Sequence, residues 1–177
     1  MANGLLASDA SHIMLYGGSR SGKTFVLTRA VIVRALMAPK SRHVVLRYRF
    51  NHVKSSIIRD TLPKVIDLCW PGLWDRSKLD KSDWFLSLPN GSEIWFGGID
   101  DKERTEKILG QEFSTIYMNE CSQIPWASRN MAITRLAQNV GLRLKAYYDC
   151  NPPGKAHWTY RVFVEKRDPD TRQALRN

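Results

Sequence analysis

Cysteine and histidine are both scarce in this sequence, and neither forms a pattern. The three cysteines, Cys69, Cys121 and Cys150, are an odd number at wide spacing, which argues against a disulfide framework and for a reducing compartment. The four histidines form no i, i+4 pair and no cluster with cysteine. We therefore expect neither a zinc site nor a disulfide scaffold.

Long apolar runs are missing as well. Arginines interrupt the longest apolar stretches within the span that a bilayer requires, and the first residues, MANGLLASDA, lack the basic region of a signal peptide. No repeat or low-complexity tract is present, and 43% hydrophobic with 25% charged residues is a globular rather than a disordered composition. The sequence predicts one soluble intracellular domain, large enough at 177 residues to bury a core.

Acidic residues are in deficit. Asp and Glu number 17 against 27 Lys and Arg, a net charge of +10 that suggests an anionic polymer as partner. Between positions 34 and 64 a group of basic residues faces the single acid Asp60; its members are Arg34, Lys40, Arg42, Arg47, Arg49, Lys54, Arg59 and Lys64. These side chains could contact nucleic-acid phosphates or an acidic neighbouring subunit, or they could form a solvated face, because the sequence does not show whether they converge.

The most informative motif is GGSRSGKT at residues 17–24, which matches the phosphate-binding loop G-x-x-x-x-G-K-[ST]. An apolar run of strand length precedes it at residues 12–16, and residues 25–37, free of Gly and Pro, predict a helix that Pro39 ends. The mechanism needs this order, since the helix N-terminus offers N–H groups and a positive dipole end to an anion. An accidental Gly-Ser turn before a helix is the alternative, which this context disfavours.

Each position of this motif has a predicted role in binding ATP. Lys23 is assigned to the β- and γ-phosphates and Thr24 to Mg²⁺. The cradle around the phosphates is assigned to Gly17, Gly18, Ser19, Arg20, Ser21 and Gly22.

A second motif lies at residues 114–120, STIYMNE, where a buried strand is predicted to end in Asn119 and Glu120. In phosphate-loop NTPases such a strand delivers two acids, the first supporting Mg²⁺ and the second polarising the attacking water. We predict Glu120 as that base, although a lone Glu at a strand end is usually a surface residue. Asn119 can offer an oxygen to the metal or its water shell but no charge, so metal affinity is expected to fall.

The other segments complete an α/β pattern with a mostly parallel central sheet flanked by helices. We predict an N-terminal arm at residues 1–11, strands at 43–48 and 142–148, helices at 53–62 and 125–138, a new helical piece beginning at Pro63, and a hairpin at 83–97 around Asn90-Gly91. After the strand at 142–148 comes Asn151-Pro152-Pro153-Gly154. This segment either sits beside the γ-phosphate or is simply a turn.

With these motifs the chain resembles the ATPase domain of the large terminase subunit, the DNA-packaging motor of tailed bacteriophages. The resemblance rests on GGSRSGKT, on LPNGSEIWFGG followed by KILGQEFSTIYMNECSQI, and on YDCNPPGKAHW, and it spans roughly residues 13–158. It implies a P-loop NTPase fold of the additional-strand Glu type with an inserted β-hairpin near 83–97. Residues 12–177 are then the ATPase domain.

The resemblance also implies a function and partners. Mg²⁺-dependent ATP hydrolysis would drive double-stranded DNA into a preformed capsid in the host cytoplasm, with Glu120 activating water and Asn151 sensing the γ-phosphate. Arg20 matches a position where the family often keeps an arginine near the phosphates. The implied partners are DNA, the capsid portal and the small terminase subunit, with a homo-oligomeric ring on the portal, a monomer in isolation and no membrane. A neighbour in such a ring could receive Arg104 or Arg129, which lie in segments predicted to be exposed.

Two departures from the family leave alternatives open. Asn119 stands where the family usually has Asp. Residues 161–177 contain only three acids, Glu165, Asp168 and Asp170, so we expect this chain to lack the family's nuclease domain, and the last part of the ATPase domain, and to cut no DNA. The alternatives are a degenerate nucleotide-binding module that holds a subunit interface, motivated by Asn119 and the short length, and a helicase-like DNA-dependent ATPase.

Overall fold

The computed structural model describes residues 2–175, apart from the side chains of residues 2, 3 and 104. Seven strands form one sheet: β1 (His12–Tyr16), β2 (Arg42–Arg47), β3 (Lys78–Asp80), β4 (Phe85–Ser87), β5 (Glu93–Gly98), β6 (Thr115–Met118) and β7 (Lys145–Cys150). The helices are α1 (Ala2–Ala7), α2 (Lys23–Met37), α3 (Phe50–His52), α4 (Leu62–Cys69), α5 (Lys102–Leu109), α6 (Trp126–Ile133) and α7 (Trp158–Phe163), with a π-helical segment at Val53–Thr61 and a 3-10 turn at Cys121–Gln123. Within residues 2–175, no helix is long and apolar enough to cross a membrane.

The strand order, β1-β7-β6-β2-β5-β4-β3, places the functional segments at one edge of the sheet. The five strands from β1 to β5 in this order are parallel, and β4 and β3 extend the sheet with antiparallel pairing. Tyr16 at the end of β1 is opposite Cys150, and Met118 at the end of β6 is opposite Tyr148. Because the carboxyl ends of parallel strands coincide, the residues that follow β1, β6 and β7 meet at this edge.

The core lies on both faces of the sheet, and neighbouring residues of one strand serve opposite faces. Tyr147 packs with Leu27 of α2 and with the helical segment that follows β2, whereas Tyr148 packs with Ala132 of α6 and Trp158 of α7. β6 and β7 are buried at every position. Strands buried on both faces are typical of parallel sheets covered by helices, as the sequence predicted.

The predicted helix break at Pro63 is absent, and a change of helix type replaces it. Residues 50–69 are helical throughout, with π-helical geometry before α4. The Leu62 N–H donates to the Ile57 carbonyl five residues back, and Thr61 Oγ1 donates to the Ser56 carbonyl at 2.9 Å. Pro63 then stands in the first turn of α4, at the junction between the two helix types.

The predicted hairpin is present as β4 and β5, with Phe85 opposite Trp95 and Gly91 at a φ of 79° in the turn. It is more than an insertion, since β5 also pairs in parallel with β2 over its whole length. At the end of β5 the chain passes close to α3. A Cβ on Gly98 would lie 2.3 Å from the Phe50 backbone nitrogen, so only glycine fits there.

Two predicted boundaries differ from the observed ones. α6 ends at Ile133 rather than at residue 138, because the chain turns there so that Leu136 can bridge to Phe113. The strand predicted at 142–148 begins at Lys145 and continues to Cys150. This shift brings Asp149 inside β7, where it lies opposite Leu15 of β1.

The N-terminal arm begins as a short helix, α1, which lies at the amino ends of the strands, whereas the phosphate-loop motif lies at their carboxyl ends. Lys145 Nζ at the start of β7 donates to the carbonyls of Leu6, at 3.0 Å, and Ser8, at 2.5 Å. Arg143 pairs with Asp9 at 3.4 Å. These contacts attach the arm to the amino ends of the strands.

Candidate nucleotide-binding site

The loop between β1 and α2 folds around the Lys23 ammonium group. Lys23 Nζ donates to the carbonyls of Gly17 at 2.7 Å and Gly18 at 2.8 Å, and to Ser21 Oγ at 3.0 Å. Gly22 precedes α2 with a φ of 79°, a backbone conformation that favours glycine. The first N–H groups of α2 have no partner within the helix. A cation and a row of free donors at a helix N-terminus form an anion-binding site.

Asn151 reaches this loop from the end of β7, and its Nδ2 donates to Ser19 Oγ at 3.3 Å. Arg20 is an exposed residue of the loop with a φ of 62°. The structure therefore brings the predicted γ-phosphate sensor and the predicted arginine to the same loop.

Glu120 follows β6 in a left-handed backbone conformation, with φ 47° and ψ 49°. Such a conformation is uncommon for a residue with a side chain and is maintained by specific contacts. The Glu120 N–H donates to Asp149 Oδ1 at 2.7 Å. Its carboxylate accepts from Arg47 Nη2 at 2.5 Å, and Arg47 also donates to Ser56 Oγ at 2.8 Å. The Glu120 side chain is 46% exposed and that of Arg47 12% exposed.

Asp149 is the centre of the hydrogen-bond network beneath the loop, although it was not singled out from the sequence. It is buried, and its Oδ1 accepts from the Glu120 N–H and from Asn119 Nδ2 at 3.0 Å. Its Oδ2 accepts from the Tyr117 hydroxyl at 3.2 Å and from Thr24 Oγ1 at 3.3 Å. Burial raises the pKa of Asp149 above its usual value, and these hydrogen bonds offset only part of that rise. One carboxylate thus connects α2, β6 and β7.

Asn119 presents its amide nitrogen to this network. Nδ2 lies 3.4 Å from Thr24 Oγ1, 3.0 Å from the Tyr117 hydroxyl, and within 3.0 and 3.2 Å of the two Asp149 oxygens. Only the NH₂ end of an amide can donate to a carboxylate, so this orientation is the one that the neighbours require. Burial first, and then the Asp149 charge, raise the pKa of Tyr117 well above its usual value, which keeps this hydroxyl a donor.

The Thr24 hydroxyl with one nearby carboxylate suits Mg²⁺ bound together with a nucleotide. Mg²⁺ usually takes one or two protein oxygens and fills its other positions with waters and substrate phosphates. Within residues 2–175, no group of three or more His, Cys, Asp or Glu side chains is placed to hold a metal by itself.

Arg129 is not exposed as the sequence suggested. Half-buried, it donates through Nε to the Tyr148 hydroxyl at 3.2 Å and through Nη1 to Asn130 Oδ1 at 3.0 Å. Its guanidinium also covers the Trp126 ring at 4.9 Å. Arg129 would have to give up these hydrogen bonds and the stacking on Trp126 to reach a neighbouring subunit, so the contacts favour a position within its own chain. The side chain of Arg104, in α5, lies outside the described residues.

Several members of the basic group between positions 34 and 64 are buried or paired with acids. Arg34 is buried and donates to Thr115 Oγ1 at 2.7 Å and to the Ser114 carbonyl at 3.2 Å, so it cannot contact DNA. Arg42 pairs with Glu93 at 3.6 Å, and Lys64 pairs with Asp60 at 2.5 Å. Lys40, Arg49 and Arg59 are exposed.

Fold and site together define the class of protein. The strand, loop and helix around Lys23, with β7 inserted between the loop strand and the Glu120 strand, form a P-loop NTPase fold of the additional-strand type. A family model described as phage terminase large subunit matches residues 9–176. The chain belongs to that family.

Solved structures show the same fold. The large terminase of a thermophilic bacteriophage is similar with a TM-score of 0.79 and 19% identity over 98% of this chain and 43% of that one. The same phage protein in complex with ATP-gamma-S is similar with a TM-score of 0.71 and 18% identity, over 98% of this chain and 42% of that one. The N-terminal domain of the DNA packaging ATPase from bacteriophage phi29 is similar with a TM-score of 0.67 and 14% identity, over 100% of this chain and 91% of that one. No curated protein is similar enough in sequence to count as a relative.

The chain spans less than half the length of the large terminase from the thermophilic phage. At these identities the likeness concerns the fold.

Proposed function

We propose that this chain hydrolyses ATP in a Mg²⁺-dependent reaction, and that within the terminase large subunit this reaction drives double-stranded DNA into a capsid. One observation carries the proposal: Asp149 joins the Thr24 hydroxyl, directly after the loop that surrounds Lys23, to the backbone N–H of Glu120 at one edge of the sheet. Nucleotide binding is supported by the complex of the thermophilic-phage terminase with ATP-gamma-S, and packaging by the description of the phi29 protein.

The loop residues bind and orient the triphosphate. Lys23 Nζ exchanges its contacts with loop carbonyls for the β- and γ-phosphate oxygens, while the N–H groups at the start of α2 contact the phosphates. A bound Mg²⁺ would supply positive charge that offsets the negative charge developing on the phosphate oxygens. Thr24 would hold the ion. The sequence predicted Asn119 as a second ligand, but in the structure its amide nitrogen, not its oxygen, faces Thr24. Arg20 and Asn151 act near the γ-phosphate in the same subunit.

Glu120 accepts the proton of the attacking water. Among the described residues, the hydrogen bonds to its carboxylate come from Arg47 and Gln123 and both go to Oε2. The Oε1 atom is therefore the oxygen that we assign to the water. The Glu120 N–H donates a hydrogen bond to Asp149, which fixes the left-handed backbone of Glu120. This backbone conformation holds the Glu120 carboxylate at the edge of the sheet.

The remaining partners follow from the family. We propose that the chain acts in the host cytoplasm with the capsid portal and the small terminase subunit, as a monomer in isolation and as a ring on the portal. The family match and the net charge of +10 support contact with DNA.

The test is phosphate release by the purified chain, with and without DNA. Lys23→Ala should abolish turnover and leave the thermal unfolding temperature close to that of the wild type, since Lys23 supplies the cation that faces the β- and γ-phosphates. Lys81→Ala, which removes an exposed lysine from the β3–β4 turn, is the matched control and should keep full activity. Wild-type turnover by Lys23→Ala would refute the assignment of this loop.

A nucleotide-binding module without turnover is the second candidate, and the Arg47–Glu120 ion pair favours it because that pair engages the proposed base. Measurable phosphate release by the wild type that disappears in Glu120→Gln, with nucleotide binding retained, would exclude this candidate. The helicase-like alternative has no supporting observation beyond the shared fold.

A further inference from the structure

Asn119 stands where the family usually has Asp, and a carboxylate, that of Asp149, is present on the neighbouring strand β7. β6 and β7 pair in parallel with Met118 opposite Tyr148, so Asn119 and Asp149 are neighbours across the pair. Their side chains are in contact, with Asn119 Nδ2 at 3.0 Å from Asp149 Oδ1. Moving an acid from one of these positions to the other keeps it at the same edge of the sheet.

Asp149 also contacts the residue that would hold the metal. Thr24 Oγ1 donates its proton to Asp149 Oδ2 across 3.3 Å. A threonine that donates to a carboxylate has two lone pairs left on its oxygen; Asn119 Nδ2, at 3.4 Å, is directed at one of them, and the other remains for a cation. Asn119 instead turns its amide nitrogen toward Thr24, and a nitrogen that carries two protons cannot bind Mg²⁺.

The groups around Asp149 require an acceptor at this position. Four of them donate to its oxygens: the Glu120 N–H, Asn119 Nδ2, the Tyr117 hydroxyl and Thr24 Oγ1. A carboxylate accepts all four bonds, whereas an amide could accept only through its one oxygen. A second carboxylate at position 119 would lie about 3 Å from the first, and two like charges at that distance strongly oppose each other. The network therefore accommodates a single acid, and that acid is Asp149.

We propose that Asp149 supplies the carboxylate that supports Mg²⁺ at the nucleotide site, directly or through the water shell of the ion, and that Asn119 is a positioning residue for it. This inference rests on the proposed binding of ATP with Mg²⁺. It also links the metal to the proposed base, since Asp149 Oδ1 accepts from the Glu120 N–H.

The experiment measures the dissociation constant of ATP-gamma-S, with Mg²⁺ and with EDTA, for four proteins: the wild type, Asp149→Asn, Asn119→Ala and the exchange variant Asn119→Asp/Asp149→Asn. The readout is the gain in affinity that Mg²⁺ produces, and it does not depend on turnover. We expect Asp149→Asn to lose roughly 10- to 100-fold of this gain, the range seen when groups that orient metal ligands are removed. Asn119→Ala should keep most of the gain, and the exchange variant should recover it, because it returns one carboxylate to this pair of positions.

The outcomes separate this inference from the proposed function. If the wild type binds no ATP-gamma-S, the proposed function fails. If it binds with a Mg²⁺-dependent gain that Asp149→Asn retains and Asn119→Ala loses, Asn119 is the metal residue and the inference fails. Thermal unfolding shows whether each variant is folded. If Asp149→Asn does not fold, Asn119→Ala decides alone. If Asn119→Ala retains the Mg²⁺-dependent gain in affinity, the role of Asp149 is supported; if it loses that gain, the role of Asp149 is refuted.

Discussion

At the level of single residues, the contact that bears most directly on turnover is the ion pair between Arg47 and Glu120. The guanidinium engages the carboxylate of the proposed base, so the pair opposes the proposed role of Glu120. Because Glu120 is 46% exposed, however, solvent screens the pair. Ion pairs at such sites contribute about 0.2 to 1 kcal/mol.

Arg47→Ala should therefore raise phosphate release, but by no more than roughly fivefold, the factor that corresponds to about 1 kcal/mol. The dissociation constant of ATP-gamma-S should not change, because Arg47 contacts Glu120 and Ser56 rather than the loop. Arg59→Ala, at an exposed arginine of the π-helical segment, is the matched control for loss of charge. Steady-state kinetics on both variants provide the measurement. A fall in turnover for Arg47→Ala alone would show that Arg47 positions Glu120 for the reaction.

The sequence was sufficient to locate residues whose positions depend on local order, and insufficient for residues whose positions depend on strand pairing. Lys23 and Thr24 belong to a motif of eight consecutive residues with its own strand and helix, so spacing alone placed them. Arg47 and Asp149 reach the site only because β2 and β7 flank β6 in the sheet. One signal was available for Asp149, since a charged residue near the end of an apolar strand invites the question of what neutralises it.

At the level of elements, most strands and helices were predictable, while their boundaries followed tertiary contacts. α2 and β1 match the predicted helix and strand because apolar periodicity and the closing Pro39 are local signals. The residue at which β7 ends depends on its pairing with β1, and the sequence of one strand does not predict which strand it pairs with. The continuous helix through Pro63 depends on a π-helical register that the proline alone does not predict.

One contact between elements makes the stability depend on pH. His43 of β2 is fully buried, with Nε2 at 2.8 Å from Ser41 Oγ and Nδ1 at 2.7 Å from Thr115 Oγ1 of β6. Arg34 of α2 donates to the same Thr115 hydroxyl. Burial, and then the Arg34 charge, lower the pKa of His43 to about 3. The folded protein therefore keeps His43 neutral at pH values where the unfolded chain protonates it.

Between the unfolded pKa of about 6.5 and the folded value of about 3, the unfolded chain binds the extra proton, so the free energy of unfolding falls as the pH falls. From pH 7 to pH 5 this single group should cost about 2 kcal/mol. Denaturant unfolding at both pH values measures the loss. His43→Asn lowers stability at both but should show a loss smaller by that amount, whereas His52→Asn, at an exposed histidine, should match the wild type. An unchanged pH dependence in His43→Asn would contradict this account.

At the level of the whole molecule, the net charge of +10 bears on contact with nucleic acid. Several basic residues of the group between positions 34 and 64 are already engaged, by burial for Arg34 and by acidic partners for Arg42, Arg47 and Lys64. The exposed cations that remain are suited to weak contact with a phosphate backbone rather than to reading of base sequence.

We therefore expect the chain to bind double-stranded DNA weakly, without sequence preference, and with an affinity that falls steeply as salt increases, since each phosphate contact releases counterions. Arg49 and Arg59 are exposed, and if both contact phosphates, Arg49→Gln/Arg59→Gln should reduce the slope of log K against log salt by about 1.8, at about 0.9 per contact. Lys81→Gln/Lys166→Gln removes the same charge elsewhere on the surface and serves as the control. Fluorescence anisotropy with two unrelated duplexes over a series of salt concentrations gives both slopes. If the two double variants change the slope equally, the binding follows net charge alone and no localised DNA contact exists at Arg49 and Arg59. If the affinity of the wild type does not depend on salt, phosphate contacts do not hold the DNA at all.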